Sequence, residues 1–411
     1  IEEEAPLPID ELIPKILIYS KKNKLTNLGS PFINKSKNNY STKDEFEREH
    51  PGFEKQYFLV IISNDPISNK NPLGYIVSEI GKCGNIDVES EVILRQYNVD
   101  YTDNFSSEIM EEIKNKMNEI KITDEYIKEN KRKDLRNEFV FTIDPYTSKD
   151  LDDAIHVKVI DPEKKILEVG VHIADPSTYI EKGSLLDKEA INRVTSVYLV
   201  QRNIPMLPRI LSERVCSILP KKDTLTISCI FRVNLSTGIL DETFKPEFCL
   251  SVVNSRAKWD YDLVQNIIEN KEVKYEDLKD EDGSKPETEE IFDELVKSIK
   301  ILYGLTHLVS SKSYQSGSLI IDTDSIKFDL DPETKMPIDF KIEKSNDSHN
   351  LVKELMLIGN TLCAGFIYDY LKEYSLIRRH LFFNDNKYNE IQRYFTNNKI
   401  NSIAFDDQQQ F

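Results

Sequence analysis

Four aspartates lie close together in one short stretch of the chain, TIDPYTSKDLDDA, which runs from Thr142 to Ala154. They are Asp144, Asp150, Asp152 and Asp153. Like charges held a few ångströms apart raise one another's pKa, so a site that keeps several carboxylates ionised normally contains a divalent cation. Oxygen ligands without a nearby group of Cys or His favour Mg²⁺ or Mn²⁺ over Zn²⁺. The stretch therefore predicts a magnesium or manganese site.

Two alternatives explain a run of aspartates without catalysis. A calcium loop of the EF-hand type needs acidic or amide groups at positions 1, 3 and 5, Gly at position 6 and Glu at position 12. Counted from Asp144, position 3 is Tyr146, and counted from Asp150, position 6 is Ile155, so neither register fits. The aspartates could instead cap a turn and a helix at the surface. The apolar flanks EFVFTI and AIHVKVI favour a partly interior cluster, where uncompensated charges would be costly.

The overall charge limits where the protein can bind nucleic acid. Lys and Arg number 54 and Asp and Glu number 71, which gives a formal net charge of -17. A surface of this sign does not attract polyanions everywhere. Because salt screens charges over about 8 Å at physiological ionic strength, a confined basic channel remains compatible with it. Any RNA contact must therefore be local.

The first part of the 411-residue chain predicts a small β domain. Within residues 1–103, the short runs KILIYS, QYFLVIIS and EVILRQY indicate an antiparallel barrel. The polar segment near residues 21–54 is interpreted as a disordered insertion in this barrel. Residues 104–137 predict a helical connector, since apolar residues recur at helical spacing from Ser106 to Ile120.

Residues 138–411 predict the larger domain, which holds the aspartates. Strand-like runs, HVKVI, ILEVGVHIA and TISCIFRVNL, mix with two long helical patterns, Glu289 to Lys312 and Leu351 to Glu373. This mixture favours an α+β fold with helices packed on an antiparallel sheet. His172, inside ILEVGVHIA, is interpreted as a satisfied core side chain.

The cysteines and the apolar runs indicate the compartment. Five cysteines, an odd number, lie mostly in apolar runs such as TISCIF and FCLSVV, so we interpret them as buried free thiols in a reducing compartment. We find no apolar stretch near the roughly 18 residues that cross a bilayer, and the start IEEEAPLPID is unlike a signal peptide. We therefore expect a soluble intracellular protein, nuclear, cytoplasmic or both, without a membrane partner.

A series of longer motifs accompanies the aspartates in a fixed order. LEVGVHIADPSTYIEKGSLLDKEA, YLVQRNIPMLPRILSERVCSILP, GSLIID, SHNLVKELMLIGN and SLIRRH follow D-P-x-x-x-x-D-L-D-D-A. Upstream stands PLGYIVSEIGKCGNIDVESEVIL. Together they resemble the RNase II/RNase R (RNB) family of exoribonucleases. The pairing of LVKELMLIGN with IRRH is most similar to the branch that contains the catalytic exoribonuclease subunit of the eukaryotic RNA exosome, and the upstream motif resembles its second cold-shock domain.

This resemblance implies an OB-type cold-shock barrel followed by an RNB catalytic domain. In the family, four aspartates hold Mg²⁺ around the last phosphodiester bond of single-stranded RNA threaded 3′ end first. By motif position, Asp144, Asp150 and Asp153 would be metal ligands or their orienters, and Asp152 the residue whose loss abolishes cleavage. The implied activity is processive 3′→5′ hydrolysis that releases 5′-nucleoside monophosphates. Single-stranded RNA and other RNA exosome subunits are the implied partners.

The resemblance also implies substrate-binding residues. Tyr198 matches a family tyrosine that stacks near the 3′-terminal base, and Tyr261 matches a family active-site tyrosine, although core or helical packing would also explain both. Glu354 aligns with a family glutamate near the terminal nucleotide. Arg202 and Arg209 flank the PMLP block and are candidates for phosphate contacts, with solvated surface arginines as the alternative.

Two features depart from the family pattern. The later block S-P-I-R-R-Y, whose arginine contacts the scissile phosphate in the family, does not occur before the chain ends at FDDQQQF. We therefore expect an RNB domain truncated at its C-terminal side, with low activity in this polypeptide. KKDTLT stands where relatives usually carry D-R, and Arg378 and Arg379 resemble a family pair to which we assign no role.

Two further functions stay open beside the enzyme. One is a non-catalytic RNA-binding scaffold of the same fold, and the other is a metal-binding structural module without RNA. Retention of Asp152 favours the enzyme over the scaffold, because a scaffold has no use for a costly group of anions.

Overall fold

A computed structural model describes most of the chain. The described residues are 17–19, 55–62, 73–99, 102–280, 283–315, 325–343, 345–378 and the short pieces 389–390, 393–394 and 396–397. The chain forms two compact units, of which the first comprises Ile1–Thr102, Val197–Ile204 and Phe328–Lys341 and the second the remainder. The insertion predicted near residues 21–54 lies outside the described residues.

The first unit contains a three-stranded sheet. Its strands are β1 (Leu17–Tyr19), β2 (Gln56–Ile62) and β3 (Leu73–Lys82), in the order β1-β3-β2, and helix α1 (Ile86–Gln96) follows. Strand β2 is antiparallel to β3, as predicted for this domain, whereas β1 is parallel to β3, so the predicted antiparallel arrangement is wrong for that pair.

Helix α1 corrects one prediction, because EVILRQY was expected to be a strand. The side chain of Asn85 caps this helix by accepting the backbone N–H groups of Asp87 and Val88. Glu91 and Arg95, one turn apart, form an ion pair at 2.7 Å. Local capping and charge pairing therefore outweigh the β preference of the apolar residues.

The second unit is built around a closed barrel of five strands. These are β4 (Lys133–Asp144), β5 (Asp153–Asp161), β6 (Ile166–Ala174), β9 (Asp223–Asn234) and β11 (Glu247–Asp260). They are joined in the order β9-β11-β4-β5-β6, and β6 pairs again with β9, which closes the ring. The short strand β10 (Ile239–Leu240) adds to the outer side of β9.

The prediction of an antiparallel sheet is correct except for one pair, since β11 runs parallel to β4. A parallel pair needs a long connection rather than a hairpin. Strands β5 to β10 and the segments between them supply that connection, which the strand-like runs alone did not reveal.

Helices and hairpins complete the described part. The second unit contains α2 (Ser107–Glu119), α3 (Asp124–Glu129), α4 (Leu185–Arg193), a π-helix (Ile210–Val215), α5 (Tyr261–Ile268), α6 (Glu289–Gln315) and α7 (Asp347–Leu371). Two hairpins pair β7 (Val197–Tyr198) with β8 (Asn203–Ile204) and β12 (Ser325–Leu330) with β13 (Pro337–Glu343). The segment predicted as a helical connector holds α2, α3 and the first residues of β4.

Two apolar clusters hold the barrel in place. In the larger, Trp259 and Phe141 from the barrel pack with Phe292 of α6 and Leu355 of α7, all nearly or fully buried. In the smaller, residues such as Ile113 of α2 pack on the opposite strand faces. Burial on both sides fixes the strand register, and therefore the positions of the residues at the strand ends.

Helix α7 corrects the expectation that no segment is long and apolar enough to span a bilayer. By length and composition, a window within Asp347–Tyr374 passes that test. Leu351, Leu355 and Gly359 of this helix are buried, and the core helix of a soluble domain passes the same test.

The cysteines are unpaired, as predicted, but not all of them are buried. Cys216 and Cys229 are buried, Cys249 and Cys363 are half-buried and Cys83 is exposed. Cys83 lies in the turn between β3 and α1, where little chain covers it.

Candidate active site

The four aspartates lie at one end of two neighbouring barrel strands. Asp144 is the last residue of β4 and Asp153 is the first residue of β5, and Asp150 and Asp152 lie on the loop between them. Because β4 and β5 are adjacent and antiparallel, the chain leaves and re-enters the barrel at the same rim. Asp260, at the end of β11, is paired with Asp144 in register, and its side chain caps α5.

The carboxyl groups raise one another's pKa. Asp144 is 9% exposed, and burial, then Asp153 and Asp152, raise its pKa to about 7, against the opposing influence of Thr142 and Lys258. Burial and then Asp152 raise the pKa of Asp153 to about 6. Asp152 reaches solvent, yet partial burial of its carboxyl and then Asp150 raise its pKa as well. The structure therefore brings the predicted aspartates into one electrostatic group.

One oxygen of this group is buried without a hydrogen-bond partner. Oδ2 of Asp144 has no donor within reach among the described residues. A buried carboxylate oxygen without a partner is costly unless a donor or a cation meets it. The donor set, oxygen atoms only, suits Mg²⁺ or Mn²⁺. In the described part, however, no three acidic, His or Cys side chains converge closely enough to enclose one ion. The fit thus rests on the unpartnered oxygen and the donor chemistry, and the ligand assignments stay predictions.

The loop that carries Asp150 and Asp152 is tied down from the side by Ser217. The backbone N–H of Leu151 donates to Oγ of Ser217 at 3.0 Å, and this hydroxyl donates to the carbonyl of Lys149 at 2.8 Å. The N–H of Ile218 donates to the carbonyl of Leu151 at 2.9 Å. Ser217 and Leu151 are fully buried. Three hydrogen bonds therefore fix the backbone between the two aspartates.

Lys258 fixes the other half of the same loop. Its ammonium group donates to the carbonyl oxygens of Tyr146 at 2.8 Å and of Ser148 at 2.7 Å. Its charge also lowers the pKa of Asp144. Ser217 and Lys258 carry no signal in the sequence, because their partners lie 66 and 112 residues away along the chain.

Tyr261 belongs to the same rim. It begins α5, directly after Asp260. Burial, and then Asp144 and Asp153, raise the pKa of its phenol to about 12. Its phenol is therefore an electrostatic neighbour of two of the predicted metal ligands.

Glu354 lies on α7 in the second unit, and its side chain is 8% exposed. It lines a small cavity of about 70 Å³ between α6 and α7, together with His307 of α6 and Asp347 of α7. A buried carboxylate on a polar cavity is compatible with the predicted contact to a nucleotide, which stays a prediction.

The remaining candidates are distributed over both units. Tyr198, 69% exposed, and Arg202, also exposed, lie on the β7–β8 hairpin, which belongs to the first unit. Within that unit, Nε2 of Gln201 donates to the hydroxyl of Ser90 at 2.8 Å. Arg209, in the second unit, forms ion pairs with Glu213 at 2.7 Å and Asp103 at 3.6 Å, so a phosphate would have to compete with two carboxylates. Arg378 is exposed, and Arg379 lies outside the described residues.

Comparison with protein families gives two matches. The family described as "RNB domain" matches residues 132–410. The family described as "Dis3-like cold-shock domain 2 (CSD2)" matches residues 7–98. The two matches coincide in chain order with the predicted OB-type domain and the larger α+β domain.

Curated relatives are similar over most of this chain. "DIS3-like exonuclease 2" of Xenopus tropicalis is 38% identical over 307 residues, which cover 75% of this chain and 35% of the relative. "Exosome complex exonuclease RRP44" of Mus musculus is 31% identical over 333 residues, which cover 81% of this chain and 32% of the relative. The chain thus spans about a third of the length of these relatives.

Two solved structures share the fold. Mycoplasma genitalium RNase R, in complex with ribose methylated single-stranded RNA, has a TM-score of 0.71 at 20% identity over 86% of this chain and 51% of that one. Yeast Ssd1, described as a pseudonuclease, has a TM-score of 0.63 at 17% identity over 96% of this chain and 43% of that one. At these identities the likeness concerns the fold alone.

Proposed function

Since the chain belongs to the RNB family, we propose that it is a Mg²⁺-dependent exoribonuclease that hydrolyses single-stranded RNA from the 3′ end. The observation that carries this proposal is the aspartate rim, where Asp144 presents a buried oxygen without a partner and a pKa raised to about 7. A bound divalent cation stabilises a buried carboxylate oxygen that has no hydrogen-bond partner and lies among like charges.

In the proposed mechanism the protein positions charges and the scissile phosphate. Asp144, Asp150, Asp152 and Asp153 would hold Mg²⁺, which supplies a water of lowered pKa and neutralises the phosphate. Ser217 and Lys258 hold the loop backbone in place, so that the carboxylates need not reorganise during the reaction. Tyr261, beside Asp144 and Asp153, would contact the 3′-terminal nucleotide.

The finer features of the activity are proposals as well. Water would attack the last phosphodiester and break its P–O3′ bond, which releases a 5′-nucleoside monophosphate and leaves a 3′ hydroxyl on the RNA, and a strand that stays bound between cuts is degraded processively. An RNA substrate is supported by the neighbour solved with single-stranded RNA. Association with other exosome subunits, inside the cell, is supported by the relative named as an exosome complex exonuclease.

A test of the proposal follows 5′-labelled single-stranded RNA with a 3′ tail on a sequencing gel. In Mg²⁺ the label should pass from full-length RNA to a short 5′ end product with few intermediates, as processive shortening requires, and EDTA should stop this. The same RNA with the label at its 3′ end should release mononucleotide from the first time point. Internal cuts, or shortening that continues in EDTA, would contradict the proposal.

A non-catalytic RNA-binding scaffold is the second candidate, because a pseudonuclease shares the fold. The scaffold would bind the same RNA without shortening it in either Mg²⁺ or Mn²⁺. Binding measured in EDTA, beside cleavage measured in Mg²⁺, separates the two candidates.

A further inference from the structure

The aromatic ring of Tyr261 at the aspartate rim has a close partner. The ring of His349 lies parallel to it, with ring centres 3.9 Å apart and planes inclined by 10°. This is closer and flatter than the buried histidine pair of the barrel, His156 and His172, at 4.9 Å and 18°. One face of Tyr261 is therefore covered by His349.

The ring of His349 is held by the cap of its own helix. Asn346 caps α7, and its Oδ1 lies 2.5 Å from Nδ1 of His349. Because an amide oxygen only accepts, Nδ1 carries the proton in this contact. The same oxygen accepts the backbone N–H of His349 at 3.2 Å. These contacts with Asn346 fix the orientation of the imidazole that stacks on Tyr261.

Two further hydrogen bonds tie the first turn of α7 to the first turn of α5. The hydroxyl of Ser348, fully buried, lies 2.8 Å from the carbonyl oxygen of Tyr261 and 2.7 Å from Oδ1 of Asn346, and these two acceptors share its one proton. The N–H of Ser348 donates to Oε1 of Gln265 at 3.1 Å. The backbone of Tyr261 is fixed by this contact and the ring by the histidine.

We propose that His349 is a positioning residue, which holds the phenol of Tyr261 at the aspartate rim so that it meets the 3′-terminal nucleotide in one orientation. The inference rests on the proposed function. Tyr261 is half-buried and also packs against the larger apolar cluster, so its ring is held on the side of that cluster as well as by His349. Without the histidine ring, the phenol samples other rotamers, and a smaller fraction of enzyme is ready to react.

The test is a double-mutant cycle on RNA cleavage. His349→Ala should lower kcat about 3- to 10-fold, the size of effect that an aromatic pair gives, with a smaller change in KM. His349→Phe, which keeps a stacking ring, should restore most of kcat. In a Tyr261→Ala background, His349→Ala should change kcat less than about 2-fold, because two residues that act through one contact are not additive. Melting temperatures of all variants show whether folding accounts for a change.

Different outcomes test the Tyr261–His349 pair and the proposed function. If the wild type is active and His349→Ala cleaves RNA at the wild-type rate, the positioning role is wrong. It is also wrong if His349→Ala lowers kcat equally in the wild-type and the Tyr261→Ala backgrounds. NMR of the histidine ring protons gives a second readout, because stacking shifts the resonances of His349 upfield and Tyr261→Leu should remove that shift. An unshifted resonance in an active protein would overturn the stacking and, with it, the positioning role. A wild type that leaves RNA intact would overturn the proposed function, and the nucleotide role of the pair with it.

Discussion

Two groups of buried polar side chains lie in the same barrel, and they differ in how they are satisfied. In the middle of the barrel, His156 and His172 lie in contact at 2.7 Å, and His172 reaches Ser228 at 2.6 Å. Ser228 is 2.5 Å from Ser251, which is 2.7 Å from Thr226. All five are almost completely buried, and each has a partner of its own. We call this series the histidine row.

At the rim, the hydrogen bonding of the aspartates is incomplete. Asp144 has an oxygen without a partner, and the pKa values of Asp144, Asp152 and Asp153 are raised. Burial lowers the pKa of His156 to about 4 and lowers the pKa of His172 as well, so both rings are neutral and the histidine row carries no net charge at neutral pH. Polar groups satisfied among themselves stabilise a fold, whereas charged groups left unsatisfied are available to a ligand. The contrast separates structural from functional groups without reference to any relative.

The largest expected effect is on cleavage, at the rim. Asp152→Asn should lower the rate of RNA shortening at least about 100-fold, because it removes one charge from the group that would hold the cation. RNA binding in EDTA should be unchanged. Glu163→Gln removes an exposed carboxylate beyond the other end of β5 and serves as the control. If Asp152→Asn digests RNA at the wild-type rate, the role assigned to this residue is wrong.

A substitution in the histidine row should change the stability of the fold rather than the rate of RNA cleavage. His172→Leu removes the partner of Nδ1 of His156 and leaves Ser228 with Ser251 alone, and it should lower the free energy of unfolding by about 1–3 kcal/mol. The rate of cleavage per folded molecule should stay near that of the wild type. Urea unfolding of this variant beside His307→Leu, at an exposed histidine, measures the difference. Equal stability of the two variants would show that the histidine row does not stabilise the fold.

Ser217 links the two kinds of group, since it is a fully buried hydroxyl that acts on the aspartate loop. Ser217→Ala should lower kcat about tenfold, the loss expected when a residue that orients ligands is removed. Ser298→Ala, at a buried serine of α6 that bonds only within its helix among the contacts described, is the matched control. Equal kcat for both variants would show that the loop keeps its shape without Ser217.

The smallest effect is on the pH dependence of stability. The pKa values of Asp144 and Asp153, about 7 and about 6, lie above the value of about 3.9 for an unfolded aspartate. The folded protein then binds more protons, so without divalent cation its stability falls as pH rises from about 4 to about 7. Mg²⁺ binds the ionised groups and should raise the melting temperature by a few degrees at pH 8 and hardly at all at pH 5. An equal rise at both values of pH would contradict this.

The aspartate site could be predicted from the sequence, because its residues are adjacent in the chain and strongly charged. The two long helices were predicted for the same kind of reason, a periodic pattern within one segment. Ser217 and Lys258 could not be found, since neither differs from an ordinary serine or lysine until the barrel brings the loop to it. His349 is similar, because its stacking on Tyr261 depends on two helices that begin 86 residues apart.

One error in the fold has a local cause and the other a long-range cause. EVILRQY has the composition of a strand, but Asn85 and the Glu91–Arg95 pair make it helical. The parallel pairing of β4 with β11 depends on the closure of the barrel, which no single strand encodes.

The central claim is that the aspartate rim holds a divalent cation, and Mn²⁺ binding followed by electron paramagnetic resonance tests it most directly. Titrated at pH 8, the wild type should remove the signal of free Mn²⁺ at low concentrations, and Mg²⁺ should release it again. The double variant Asp144→Asn, Asp153→Asn should leave the signal of free Mn²⁺ unchanged. Equal uptake by the wild type and this variant would contradict the account.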